Sequence, residues 1–209
     1  MLHSTDAFGT AGGKALTEAL GKLSATATDQ GYANQSQDFT PVVLAIKQSG
    51  ADILGSYFTF ENDLGIFGRQ LRQLGVNIPW VGSPSIVNIT ALKLAGPALY
   101  NTYGVADYAE DSSEGSKAFG KVYRDAVKVA PDNQSSWTYD AVTVLSAAIN
   151  KAGSTDPAKI REAILATKKF PGAEGEYNFD QNGDGLHGYN IVKNDKGNIV
   201  FDKHIEFTD

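Results

Sequence analysis

The sequence predicts an α/β fold with a doubly wound parallel sheet in its first lobe. Helix-spaced apolar residues and short buried strands alternate over the first hundred residues, the pattern of a parallel sheet covered by helices. Successive strands are separated by about 20–25 residues, in keeping with the dozen or more that a parallel crossover needs. Glycine occupies 22 of the 209 positions, which suits a chain with many turns and close backbone approaches.

The elements follow in order. Met1-Leu2 reads as the end of a strand, and residues 6–13 as the loop behind it. Leu16, Leu20 and Leu23 fall at helical spacing and predict a helix over 11–23. Thr26 and Thr28 favour a short strand at 24–28. Thr40-Pro41 reads as a cap with proline at the first helical position. Val42, Val43 and Ile46 are that helix's apolar stripe and Gly50 its stop. A buried strand is expected over 52–58, then a helix through Leu64, Phe67, Leu71 and Leu74 that ends at Gly75. Residues 77–82 predict a strand ending in a glycine loop, 86–95 a short helix or turn, and 99–105 an extended segment. With at most two strand residues ahead of the first loop, the chain is expected to begin inside a domain.

Beyond residue 106 the pattern changes. Residues 106–113 are polar and acidic and are a candidate boundary or hinge. Phe119, Val122, Ala126 and Val127 predict one helix, and 139–152 another with Val142, Leu145 and Ile149 on a common face. Asp156-Pro157 caps a third, carrying Ile160, Ile164 and Leu165. The tail turns to period two at Tyr177 and Phe179, passes a turn-rich stretch over 181–185, and resumes with Tyr189 and Ile191. The turn Asp195-Lys196-Gly197-Asn198 then leads into a strand over 199–207.

Composition narrows the function. Eighteen Lys and Arg against 24 Asp and Glu give a formal charge of −6, the opposite of a nucleic-acid-binding surface. No apolar run is long enough to span a membrane. Cysteine is absent, which removes disulfides, thiol nucleophiles and Cys-based metal sites. The first residues carry no basic stretch followed by an apolar one, so no signal peptide is read in this chain.

Three loops sit where a strand hands over to a helix, the place where open α/β sheets bind ligands. In the first, Phe8-Gly9 is the candidate; Thr5, Thr10 and nearby backbone N–H groups would meet an anion at the helix N-terminus, or the segment is a tight turn with Phe8 as filler. The second, Ser56-Tyr57-Phe58-Thr59-Phe60-Glu61-Asn62-Asp63, mixes three aromatics with polar atoms, as small-ligand pockets do. Glu61 there would neutralise an ammonium, or with Asp63 complement the helix dipole, and one aromatic must belong to the core. In the third, Gly82-Ser83-Pro84-Ser85, the hydroxyls of Ser83 and Ser85 face either a ligand or the next helix. Asp180-x-Asn182-x-Asp184-Gly185 looks like the start of a calcium loop, but its twelfth position is Ile191 where a Glu is needed, so it reads as a turn. His3, His187 and His204 lack metal-ligand spacing, and no serine-nucleophile motif occurs. No catalytic residue, metal ligand or cofactor is assigned, and an enzyme is not expected.

At these loops the sequence resembles the solute-binding proteins of branched-chain amino acid type ABC transporters, the Leu/Ile/Val-binding proteins of the type I periplasmic binding fold. Leu2-His3-Ser4-Thr5-Asp6-Ala7-Phe8-Gly9 is similar to that family's strand end and aromatic-glycine loop. Asp38-Phe39-Thr40-Pro41-Val42-Val43 with Lys47-Gln48-Ser49-Gly50-Ala51-Asp52, Phe67-Gly68-Arg69-Gln70 up to Leu74-Gly75, Tyr139-Asp140-Ala141 and Gly175-Glu176-Tyr177-Asn178-Phe179-Asp180 resemble later stations of the family pattern. Their order and spacing carry the resemblance; no single one does.

The resemblance implies two lobes joined by three crossovers, with a ligand bound between them. In those terms residues 1–106 are most of the C-terminal lobe without its first strand. Residues 107–175 are helices of an incomplete N-terminal lobe, and 176–209 a terminal hairpin that returns toward the first lobe. Phe8, Tyr57, Phe58, Phe60, Glu61, Ser83 and Ser85 are the candidate ligand-binding residues. The family's acid that meets a ligand ammonium falls at Pro84 here, which weakens a leucine-like assignment. The implied protein is non-enzymatic, periplasmic or extracytoplasmic, and delivers an amino acid or other small polar metabolite to an ABC permease. The expected helices over 119–130 and 139–152 would then expose apolar surface and draw in a second copy or a missing N-terminal fragment. The rival reading is a stand-alone regulatory or scaffold protein of the same fold, in which oligomerisation replaces the missing lobe.

Overall fold

The computed structural model describes residues 1–185 and 188–206, so His187 and Phe207 lie outside the described residues. The chain forms two compact units, one of Met1–Val105 with Val192–Val200, the other of Ala106–Ile191 with the residues from Phe201 onward. The tail is thus shared between them.

The first unit is a sheet of short strands wrapped by helices. β1 (Leu2–Ser4), β2 (Gln30–Tyr32), β3 (Leu54–Tyr57), β4 (Trp80–Gly82) and β5 (Tyr103–Ala106) are joined in parallel, and β8 (Tyr189–Asp195) and β9 (Asn198–Ile205), of which Val192–Val200 belong to this unit, complete the order β2-β1-β3-β4-β5-β8-β9. The register sets Leu2 opposite Gln30 on one side and Ser56 on the other. β8 and β9 meet in a hairpin through Lys196 and Gly197, both at positive φ (52° and 97°), the geometry a two-residue turn requires.

The helices are α1 (Ala7–Lys22), α2 (Thr40–Ser49), α3 (Glu61–Gln73) and α4 (Ile89–Ala95). α3 follows its apolar pattern: Leu64, Phe67 and Leu71 are buried. Gly50 ends α2 at φ 66°, in the left-handed region that glycine enters without strain. The core is aromatic. Tyr32 packs on Phe39 and Phe58, and Phe67 meets Trp80 edge-on at a centroid distance of 5.4 Å.

Three expectations are corrected here. The segment expected as a loop over 6–13 is helical from Ala7, because Asp6 caps the helix by accepting the Gly9 N–H. The face of α1 that meets the sheet is made of glycines: Gly9 and Gly13 are buried, Leu16 and Leu20 only half-buried, and Leu23 is exposed. A methyl at Gly9 would press into the hydroxyl and carbonyl oxygens of Ser4, and one at Gly13 would stand 2.7 Å from the His3 ring. The strand expected at 24–28 does not form. Ser24 turns into positive φ at the end of α1, Ala25 N–H bonds back to Leu20 O, and the sheet is joined only at Gln30. Thr40 is not the cap of α2; it lies inside the helix, and Asp38 accepts the Thr40 N–H at 2.8 Å instead.

The second unit carries α5 (Glu114–Val127), α6 (Asn133–Ala152) and α7 (Pro157–Leu165), with a two-stranded ribbon of β6 (Phe170–Pro171) and β7 (Glu176–Tyr177). Asp156 caps α7 by accepting the Ala158 and Lys159 N–H groups. α6 begins six residues before the expected start at 139, because Asp132 and Ser135 form a reciprocal capping box. Its buried face also differs from the expected one: Ser136, Asp140, Val144 and Ala148 point inward, while Val142 and Leu145 are exposed. On α5, Phe119 is buried against Tyr108 and Ala173, but Val122 and Val127 are exposed.

Candidate functional site

In the first unit β1, β3 and β4 run parallel, so the segments that follow Ser4, Tyr57 and Gly82 emerge at the same edge of the sheet. Those segments contain the residues the sequence singles out.

Behind β1, the N-terminus of α1 is already filled. Asp6 Oδ1 accepts the Gly9 N–H at 2.8 Å, and Asn34 donates to Asp6 Oδ2. These bonds, led by the Gly9 N–H and joined by the Thr59 hydroxyl, pull the Asp6 carboxyl down to about 2. A fixed carboxylate occupies the place expected for an anion, and the Thr5 and Thr10 N–H groups are spent on Tyr32 O and Asp6 O. Phe8 is half exposed, and its ring lies 5.0 Å from that of Tyr57. Gly12 permits this: a Cβ there would collide with the Tyr57 ring.

Behind β3 the three aromatics separate by the pleat. Tyr57 is half-buried at the edge and Phe60 is exposed at the start of α3. Phe58 is only 1% exposed, locked between Tyr32 and Phe67, so its ring belongs to the core and offers no surface to a ligand. Glu61 opens α3 and is half-buried. Behind β4, Ser83 is buried and its N–H bonds to Ser56 O at 2.9 Å. Ser85 donates its hydroxyl to Phe58 O at 2.7 Å, which ties the third segment to the second.

Sequence reasoning passed over Ser4, Thr59 and Asn34 at this edge, and read Asp63 only as a complement to the helix dipole. Ser4 and Thr59 share a hydroxyl–hydroxyl bond of 2.8 Å, joining the ends of β1 and β3. Asn34 braces Asp6. Asp63 is buried, accepts the Gln35 N–H at 2.8 Å, and has its carboxyl pushed up by burial. The Asp-x-x-Gly spacing of 6–9 after a strand was the one legible signal, an N-cap pattern. The segments behind β1 and β3 thus carry the carboxyl groups of Asp6, Glu61 and Asp63, with the Ser4–Thr59 hydroxyl pair and the Phe8–Tyr57 ring pair between those segments.

Elsewhere in this unit, Arg72, Asn77, Pro79, Pro97, Tyr100 and Tyr103 line a depression near the N-terminal ends of β4 and β5. Its arginine is engaged by the carbonyls of Ala98 and Val76. In the second unit the Asp180 carboxylate accepts the N–H groups of Asn182, Gly183 and Asp184, the bonding of a turn. Among the described residues no group of three or more His, Asp or Glu side chains is placed to hold a metal ion.

Residues 1–198 match the family described as periplasmic binding protein. The chain belongs to that family. The periplasmic binding protein relatives include Leu/Ile/Val-binding protein homolog 1 of Brucella suis, 26% identical over 162 residues, which cover 77% of this chain and 43% of the relative. The leucine-, isoleucine-, valine-, threonine-, and alanine-binding protein of Pseudomonas aeruginosa is 29% identical over 153 residues, 71% of this chain and 39% of that protein. Among solved structures, a leucine binding protein LivK from Thermotoga maritima superposes with a TM-score of 0.91 at 24% identity, covering 98% of this chain and 60% of that one. A solute binding protein from R. palustris in complex with benzoate gives 0.86 at 19% identity, over 97% and 57% of the two chains. The chain therefore spans less than half the length of these curated relatives, and the structural likeness establishes the type I periplasmic binding fold.

Proposed function

We propose that this chain is part of the solute-binding component of an ABC transporter, acting outside the cytoplasmic membrane and delivering an amino acid or other small polar metabolite to a permease. The observation that carries the reading is the convergence of the segments after β1, β3 and β4 at one sheet edge, in a chain that matches the family over residues 1–198. Phe8, Tyr57 and Phe60 supply the apolar wall, and Glu61, Ser83 and Ser85 with Asp6 the polar one. In two-lobed binders the ligand is held by closure of one lobe on the other. In this reading the first unit is most of one lobe and the second unit contributes helices of the other.

Calorimetric titration of the 209-residue chain with isoleucine, leucine and benzoate tests the proposal. Leucine and isoleucine, and benzoate, are the ligands of the similar proteins described above. Saturable binding that Phe8→Ala weakens tenfold or more supports it. Binding untouched by Phe8→Ala and Tyr57→Ala would place the ligand elsewhere.

A second reading is favoured by a separate observation. Trp137, Tyr139, Val142 and Leu145 of α6 are exposed by 43–59%, an apolar density that marks interaction surfaces. In that reading the same fold serves as a regulatory or scaffold protein, and a second copy or a further polypeptide segment covers α6. Light scattering separates the two: a stable dimer lost on Val142→Asp with Leu145→Asp supports self-association.

A further inference from the structure

The second unit buries a carboxyl cluster for which the ligand reading has no use. Residues 172–175 form a tight turn between β6 and β7, closed by the Gly172 N–H on Gly175 O at 2.8 Å. Asp140 of α6 grips its tip, accepting the Ala173 N–H at 2.7 Å and the Glu174 N–H at 3.1 Å. Glu174, 3% exposed, folds back onto the same helix. Its Oε1 lies 2.8 Å from Ser136 Oγ and its Oε2 2.5 Å from the Tyr177 hydroxyl.

Proton counting favours a protonated Glu174, since the Tyr177 hydroxyl is shared between two carboxyls, those of Glu174 and Asp140. Ser136 Oγ also lies 2.8 Å from Asn133 O. A serine hydroxyl has a single proton to donate, yet both of these neighbours are acceptors if Glu174 is ionised. A proton on Glu174 removes the conflict: Glu174 donates to Ser136, and Ser136 donates to Asn133. The charges facing the group point the same way. Asp140 from α6 and Asp107 from the segment after β5 are both buried carboxyls that repel a charge on Glu174, and Tyr177 from β7 gives it a neutral donor. Neither Glu174 nor Asp140 has a salt bridge among the described residues.

We propose that Glu174 is a proton-operated latch: protonated, it fastens the 172–177 turn to α6, and ionised, it releases that turn. Burial, opposed in part by the Tyr177 and Ser136 hydroxyls, pushes the Glu174 carboxyl up to about 7. The latch therefore holds fully below about 4.5 and is lost as pH rises through about 7.

Hydrogen exchange at the Ala173 and Glu174 amides, corrected for intrinsic rates, reads the latch directly on the intact chain. If the released carboxyl returns to its ordinary value of 4.5 from about 7, linkage makes opening about tenfold more frequent at pH 8 than at pH 6. Glu174→Gln carries a permanent donor and acceptor in place of the protonated acid, so its protection should be the same at both pH values. A wild-type protection that does not change between pH 6 and 8 overturns the proposal, and so does an equal change in the Gln variant. Should that variant fail to fold, carbon-13 NMR of the glutamate carboxyls decides. A buried carboxyl titrating near neutrality supports the latch, and ordinary titration of every glutamate rejects it.

Discussion

Two alanine substitutions in the same helix should move stability in opposite directions. Gly9 and Gly21 both lie in α1, one near each end. Replacing a helical glycine with alanine stabilises by about 0.5–1 kcal/mol where the new methyl is accommodated. At Gly21 nothing lies within 4 Å of the added carbon, so Gly21→Ala should realise that gain. At Gly9 the methyl meets the hydroxyl and carbonyl oxygens of Ser4 and stands 2.8 Å from its backbone N. Ser4 is a fully buried strand residue, and a strand backbone does not rotate aside. α1 would have to withdraw by roughly 1 Å to restore ordinary contact, and overpacking of this kind costs about 3 kcal/mol at the upper end of its range. Set against the propensity gain, Gly9→Ala should be destabilised by about 2 kcal/mol net, a gap of roughly 3 kcal/mol from Gly21→Ala. For a chain of this length that is about 6–12 °C between their melting temperatures. Thermal unfolding followed by far-ultraviolet circular dichroism measures it, with urea titration as the check on equal m-values. Melting of the two variants within ~2 °C of each other would refute the idea that the glycine face of α1 sets the distance between helix and sheet.

Other outcomes follow from the same structure. Phe58→Ala should cost about 3–5 kcal/mol in urea unfolding, whereas Phe8→Ala, half exposed, should leave the midpoint nearly unchanged and act on ligand titrations alone. Asp6→Ala should cost about 1 kcal/mol as a lost helix cap. It should also change the acid limb. The Asp6 carboxyl is held down at about 2 against an ordinary 3.8, so its stabilisation is complete above the ordinary value and disappears as pH falls through about 2. The variant should therefore lose less stability than the wild type between pH 4 and pH 2. Calcium at millimolar concentration should not raise the melting temperature, because the Asp180 carboxylate is committed to three backbone N–H groups of its own turn; a rise reversed by chelator would reopen the calcium reading.

The residues differ in how far their roles could be read from sequence. α3 was plain, since Leu64, Phe67 and Leu71 keep helical spacing and all three are buried. α7 was plain because Asp156-Pro157 is a cap in any context. α1 was misread at its start because propensity counts glycine against a helix, while here glycine is what lets the helix approach His3 and Ser4. The α6 face was misread for a related reason. Hydrophobic spacing picked out Val142 and Leu145, but the buried side carries Ser136 and Asp140, which hold the turn at 172–175. Polar side chains turn inward only when a distant segment supplies their partners, and spacing along one helix carries no trace of that segment. At the candidate site the aromatics were legible as a group. Which of them was core was not, because neighbouring residues at the end of an extended segment, Tyr57 and Phe58, point to opposite sides without saying which side is covered.

The sequence contains two tryptophans, and the fold places one in each unit. Trp80 is 1% exposed within the first unit, while Trp137 is 43% exposed within the second. Each unit thus has an intrinsic optical reporter of contrasting character. Iodide should quench the emission of Trp137 and spare that of Trp80, and only loosening of the first unit should shift the Trp80 band toward the red. Without any label, the unfolding of either unit can then be timed separately.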